Sequence, residues 1–144
     1  MNLEPGTFRY PRRVQFAETD LAGIVHFSWY FRYMEEAEHA LWRAAGLTIE
    51  RAGAGTGWPR VAAAFEYQHA LTFEDEFVDL VRIVAVGRRS IRYSHTFMRG
   101  DTVVGTGTIT TVHVTKQPDA SMKSAEIPAS IVDSLQAALQ PAVR

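Results

Sequence analysis

The apolar residues of this chain change period once, from helical to strand-like, and that change restricts its architecture. From Ser28 onward, Tyr30, Tyr33, Met34, Ala37, Leu41 and Ala44 recur at steps of three and four, one apolar stripe along a helix. Ser28 can cap its start, and Gly46 followed by Leu47 reads as a stop with a hydrophobic contact after it. Beyond the glycine-rich stretch from Arg51 to Pro59 the period becomes two. Val61, Ala63, Phe65 and Tyr67 share one strand face, and Phe77 to Val86 is a β-branched run ended by Gly87. Ile91, Tyr93, His95 and Phe97 alternate with polar residues, and Arg99-Gly100-Asp101 turns the chain into a long run from Thr102 to Thr115.

A first strand is predicted over Arg12 to Ala17, with Val14 and Phe16 on one face. Pro128 opens a short C-terminal helix reaching Leu139. Consecutive strands with short connections pair antiparallel. The expected class is therefore α+β, an antiparallel five-stranded sheet curved around one long helix, with a short C-terminal helix. One main helix leaves much of such a sheet uncovered, so its edges or faces are expected to pair with another chain in a homo-oligomer.

At 144 residues the chain is the usual size of one domain, expected over residues 1–144. A formal net charge of −1 supplies no global field for nucleic acid or an anionic membrane, so neither is an expected partner. An anionic ligand then needs a local basic cluster. The absence of cysteine removes disulfides, thiolate nucleophiles and cysteine metal sites, and fits a reducing compartment. The N-terminal MNLEPGTFRYPRR lacks the apolar run of a signal peptide, and no uncharged apolar stretch is long enough to span a bilayer. A cytoplasmic protein is expected.

The segment from Val14 to Leu47, VQFAETDLAGIVHFSWYFRYMEEAEHALWRAAGL, resembles the signature region of the 4-hydroxybenzoyl-CoA thioesterase family. It has a strand, a Thr-Asp pair, a Gly-hydrophobic-hydrophobic step and an aromatic-rich helix ending in Gly. The resemblance implies a hotdog fold and an acyl-CoA thioesterase that releases free acid and CoA, assembled as a tetramer (a dimer of dimers) with sites where two chains meet. It implies no cofactor and no metal. Asp20 matches the family's catalytic aspartate, and Phe27 matches the residue whose backbone N–H holds the thioester carbonyl.

The chemistry of those residue types agrees. Thioester hydrolysis needs a nucleophile or base beside the carbonyl carbon, and donors where negative charge develops on oxygen. Asp20 lies between a strand end and a helix start, and the first N–H groups of that helix are unpaired and carry the positive end of its dipole. Asp20 is read as nucleophile or general base, while Gly23 permits close approach of backbone to the acyl group. The competing reading of Asp20 is an Asx turn onto its own backbone. Two other functions fit the same features: a non-catalytic acyl-CoA-binding hotdog protein, and a hotdog acyl-CoA hydratase.

His26 is a candidate to contact the acyl group or orient Asp20, or else a partly exposed histidine at a helix start. Trp29 stands where the family often carries Asn, which makes it a candidate for shaping the acyl pocket. Arg88, Arg89 and Ser90, following Gly87 in a predicted hairpin connection, form the best local basic cluster, and guanidinium groups suit phosphate. The resemblance implies that they hold the nucleotide phosphates of coenzyme A. Glu36 and His39 have a metal-ligand spacing, but a solvated helix face explains them without a second ligand pair. His95, between Tyr93 and Phe97 on an apolar face, reads as a hydrogen-bonded core histidine.

Overall fold

The computed structural model describes residues 6–49 and 55–139. Strand β1 (Thr7–Arg13) is followed by a 3-10 turn (Phe16–Glu18) and the long helix α1 (Trp29–Ala44). Then come β2 (Thr56–Gly57), β3 (Arg60–Tyr67), β4 (Glu76–Val86), β5 (Ser90–Arg99), β6 (Thr102–Val112), β7 (Val114–Lys116), β8 (Met122–Ser124) and helix α2 (Ala129–Ala138). Five strands form one antiparallel sheet in the order β1-β4-β5-β6-β3, and β2, β7 and β8 make a small second sheet. The α+β architecture expected from the change of period is the one observed.

Its local causes are legible. Gly87 donates its N–H to the Ser90 carbonyl at 2.9 Å and closes the β4–β5 hairpin. Helix α1 stops where Gly46 takes φ +76°, a left-handed conformation costly for a residue with a Cβ. Along α1, Tyr30, Tyr33, Met34, Ala37 and Leu41 are buried against Ile91, Tyr93 and Phe97 of β5 and Ile109 of β6. Each such large side chain contributes roughly 1.5–3 kcal/mol. Gly105 and Gly107 on β6 leave room for the ring of Phe65, since a Cβ at Gly105 would stand 2.5 Å from it.

Several expectations need correction. The first strand begins at Thr7 and ends at Arg13, earlier than the expected span from Arg12 to Ala17. Phe16 lies in the 3-10 turn and is 73% exposed, because Glu18 bonds back to Gln15 through both its N–H and its side chain. Ala44 is exposed, and Trp42 takes its place in the core, donating its indole N–H to Tyr93 Oη at 3.1 Å. Val61 is exposed at a register shift between Arg60 and Ala62, which leaves Arg60 facing the helix. The run from Thr102 to Thr115 breaks at His113 into β6 and β7, whose partners differ. Ser28 occupies the cap position of α1 without a side-chain capping bond. Part of the glycine-rich connection, 51–54, lies outside the described residues.

Candidate active site

The loop between β1 and α1 is anchored before it is functional. Val14 donates its N–H to Asp75 and accepts one from Glu74, tying the loop's start to the β3–β4 connection. Glu18 then turns inward and is 2% exposed. Arg12 grips its carboxylate with a two-pronged contact at 3.1 and 2.6 Å, Tyr33 of α1 donates its hydroxyl at 2.7 Å, and the Gln15 N–H adds 2.9 Å. Burial pushes the Glu18 carboxyl up, but these donors outweigh it and hold it below the usual carboxylate range. Burial and the neighbouring Glu18 carboxylate push the Tyr33 phenol up, so it stays a donor. Glu18 therefore staples the loop to both β1 and α1. Nothing in the local sequence marks it, since both side-chain partners, Arg12 and Tyr33, come from other elements and Gln15 contributes only its backbone N–H.

Asp20 faces the other way. Its N–H bonds Ile24, its carbonyl accepts from Gly23, and one carboxylate oxygen, Oδ1, accepts the Ala22 N–H at 2.9 Å. The Asx turn is real, and it occupies only one of the two oxygens. Gly23 completes the turn at φ +80°. A bridge between Thr19 and Val25 and a bond from Val25 to Leu71 seat this small loop over the end of β3.

Asp20 opens onto a cleft of about 350 Å³ that Phe27, Tyr30, Tyr67 and His69 also line. The N–H of Phe27 has no acceptor among the described residues, whereas its carbonyl accepts the Tyr67 hydroxyl at 2.9 Å. Tyr67 thus holds the Phe27–Ser28 peptide, adjacent to the one that carries the Phe27 N–H, from the far strand. Asp20, with a spare carboxylate oxygen, and Phe27, with an unpaired amide before α1, line one partly aromatic cleft. A period-two strand pattern does not reveal which loop the strand end meets, so it does not mark Tyr67 or His69 for this cleft.

The other candidates fall elsewhere. His26 is exposed, its Nδ1 lies 2.8 Å from Ser28 Oγ and its ring stacks on Phe27, so it organises the start of α1 rather than contacting Asp20. Trp29 is half-buried against Tyr33 and beneath the guanidinium of Arg32, outside the cleft lining. Arg88, Arg89 and Ser90 sit at the β4–β5 hairpin, where Arg88 pairs with Glu126. The Asp20 loop lies near the start of β4 and the basic turn follows its end; eleven strand residues, roughly 36 Å, separate them within one chain. Glu36 bonds Arg12 and Tyr10, and His39 lines a different cleft. Among the described residues no helix is long and apolar enough to cross a membrane.

His95 is in the core as expected, but in charged company. Its Nδ1 lies 2.6 Å from Asp79 and its Nε2 2.8 Å from Glu38, with all three side chains fully buried. Burial lowers its pKa, but the two carboxylates outweigh that and raise it to about 9. Glu38 in turn accepts from Arg60 at 2.8 Å.

An antiparallel sheet wrapped around a single long helix defines a hotdog protein. The chain belongs to the thioesterase-like superfamily, which it matches over residues 14–139. A curated relative from Aquifex aeolicus (strain VF5), bearing the name "Putative esterase", is 36% identical over 98 residues, covering 67% of this chain and 77% of the relative. Among solved structures, a gentisyl-coenzyme A thioesterase superposes with a TM-score of 0.80 at 26% identity, covering 89% of this chain and 99% of that one. A 4-hydroxybenzoyl CoA thioesterase mutant complexed with 4-hydroxybenzoyl CoA shares the fold, with a TM-score of 0.81 at 18% identity over 90% of this chain and 99% of that one. The resemblance drawn from Val14 to Leu47 thus holds across the fold.

Proposed function

We propose that this protein is an acyl-CoA thioesterase acting on aromatic acyl groups. The observation that carries the proposal is that Asp20, with a spare carboxylate oxygen, and Phe27, with an unpaired amide, line one cleft. Aromatic side chains from Phe27, Tyr30 and Tyr67 suit a flat acyl group, and the likeness to a gentisyl-coenzyme A thioesterase supports that choice.

In this reading the thioester carbonyl oxygen accepts the Phe27 N–H, which the positive end of α1 reinforces. Asp20 Oδ2 attacks the carbonyl carbon, or removes a proton from the water that does. The C–S bond breaks and the coenzyme A thiolate leaves. Water supplies the second oxygen of the free acid, so no redox partner enters the reaction. Asp20 Oδ1 stays bonded to Ala22 and holds the reactive oxygen's direction.

A homo-oligomer belongs to the same proposal. Of the sheet's two edge strands, β1 carries Pro11 and the arginines Arg9, Arg12 and Arg13, devices that block strand addition. β3 has Val61, Ala62, Ala63 and Ala64 exposed in sequence and no proline, with its charges, Arg60 and Glu66, towards its two ends. Antiparallel pairing of two β3 edges buries them. It also brings the end of the sheet that carries Arg88 and Arg89 towards the Asp20 cleft of the second copy, where those residues can meet coenzyme A phosphates.

The test is thiol release from a panel of acyl-CoAs, run on wild type beside Asp20→Asn. Release from aromatic acyl-CoAs that collapses in the variant supports the proposal. Saturable binding without release points to an acyl-CoA-binding protein, and altered unsaturation of the acyl chain to a hydratase.

A further inference from the structure

A second cleft, of about 640 Å³, lies at the opposite end of β3 from Asp20, with Glu35, His39, Trp58, Arg60 and Lys116 among its lining. Arg60 is its most constrained member. One terminal nitrogen donates to Glu38 at 2.8 Å, the other stands 3.4 Å from Glu35, and its Nε is buried with no partner among the described residues. Behind it the chain Glu38–His95–Asp79 alternates charge into the sheet, with every side chain fully buried. Three buried ionisable groups are costly to desolvate, and well-packed apolar residues in their place would serve stability as well or better. What they achieve that apolar residues could not is a guanidinium held in one orientation at a cleft surface.

The Asp20 cleft is the one that lacks a cation. Its lining holds Asp20 and His69 but no lysine or arginine. The two clefts flank the same edge strand: Tyr67 lines one and Arg60 the other. Antiparallel pairing of β3 with β3 of a second copy sets the Arg60 end of one chain against the Tyr67 end of its partner. The ends are complementary in charge, Arg60 near one and Glu66 near the other, with alanines at the centre. Two-fold symmetry repeats the junction, so each copy lends its Arg60 cleft to the other's Asp20 cleft.

We infer that Arg60 acts in trans: held by Glu38, His95 and Asp79, it completes the Asp20 cleft of the second copy and donates to an oxygen of the bound thioester substrate. This rests on the thioesterase reading for its ligand, but the arrangement itself is tested without activity. Arg60 is the substrate-facing residue, and Glu38, His95 and Asp79 are positioning residues.

The chain has no cysteine, so single cysteines report cleanly on which ends meet. Val61→Cys and Gln68→Cys, both at exposed positions, mixed and treated with a short bis-maleimide, should give a covalent dimer, whereas either variant alone should give little. No cross-link in the mixture, or equal cross-linking of each variant alone, overturns the inference whether or not the protein is a thioesterase. The functional arm co-expresses Asp20→Asn with Arg60→Gln under two tags and purifies through both. Each variant alone should be nearly inactive, while the doubly tagged dimer should recover up to about half the wild-type rate, because one of its two sites is intact. No recovery beside an active wild type overturns the assignment in trans. Should Arg60→Gln fail to fold with Glu38 left unpaired, Arg60→Lys keeps the charge and takes its place, with a raised KM expected and the same complementation required. Wild type without thiol release but with the predicted cross-link would reject the thioesterase reading and leave the paired arrangement standing.

Discussion

Glu18 and Asp20 stand two residues apart in one loop and have opposite surroundings. Glu18 is 2% exposed and its carboxylate accepts four hydrogen bonds, whereas Asp20 is exposed and gives only one oxygen to its own turn. One carboxylate is committed to structure, which leaves the other free for chemistry.

Asp20→Asn should keep the fold, because the amide oxygen still accepts the Ala22 N–H at the turn. Its kcat for the best acyl-CoA should fall by several orders of magnitude, on the order of 10³ or more, with an unchanged melting temperature. A rate within tenfold of wild type would remove Asp20 from the chemistry.

Glu18→Gln leaves the Arg12 guanidinium with only Glu36 for an ionic partner, so a loss of about 2–4 kcal/mol in denaturant unfolding is expected. The pH dependence has a definite sign. The folded Glu18 pKa is depressed, so its contribution is present above the unfolded value near 4.5 and is lost as pH falls through the lower folded one. The variant's unfolding free energy should therefore be flatter than wild type below that pH.

His95 works in the alkaline direction. Its folded pKa is raised from 6.5 to about 9, so its contribution is fully present below pH 6.5 and is lost as pH rises through about 9. Stability should fall across that window in wild type. His95→Gln should be less stable at pH 6 and should lack this alkaline loss. Equal alkaline sensitivity in both proteins would place the titration elsewhere.

Tyr67→Phe removes only the bond to the Phe27 carbonyl. Tyr67 is 46% exposed, so stability should change by less than about 1 kcal/mol, while kcat should fall up to about tenfold through a looser Phe27–Ser28 peptide beside the one that carries the Phe27 N–H. An unchanged kcat would show that α1 alone fixes that peptide.

Changing Arg88 and Arg89 together to Ala should raise KM for acyl-CoA with little change in kcat, since phosphate contacts are made equally in ground and transition states. The effect should vanish for a pantetheine thioester that lacks the nucleotide. Equal KM values for wild type and variant with acyl-CoA would clear both arginines of the role.

Much of this was readable along the chain. The stripe from Tyr30 to Leu41 and the alternation from Ile91 to Phe97 are local repeats, and local repeats choose helix or strand before any long-range contact forms. Asp20 was marked by its match to the family's signature, while its own neighbours pointed to an Asx turn, and the structure contains that turn. Phe16 and Val61 misled for a physical reason: an alternating pattern cannot show that a carboxylate two residues on will curl the chain, or that a bulge will turn a side chain outward.

The main helix, the alternating strands and the antiparallel class follow from neighbours a few positions apart, which is why they can be read along the chain. That Glu18 is a staple, that Tyr67 holds the Phe27 carbonyl, and that Arg60 ends a buried chain of charges depends on how the sheet closes around the helix. Those pairings join residues 15, 40, 22 and 57 positions apart, and no local pattern records which distant side chain will lie opposite once the sheet has closed around the helix.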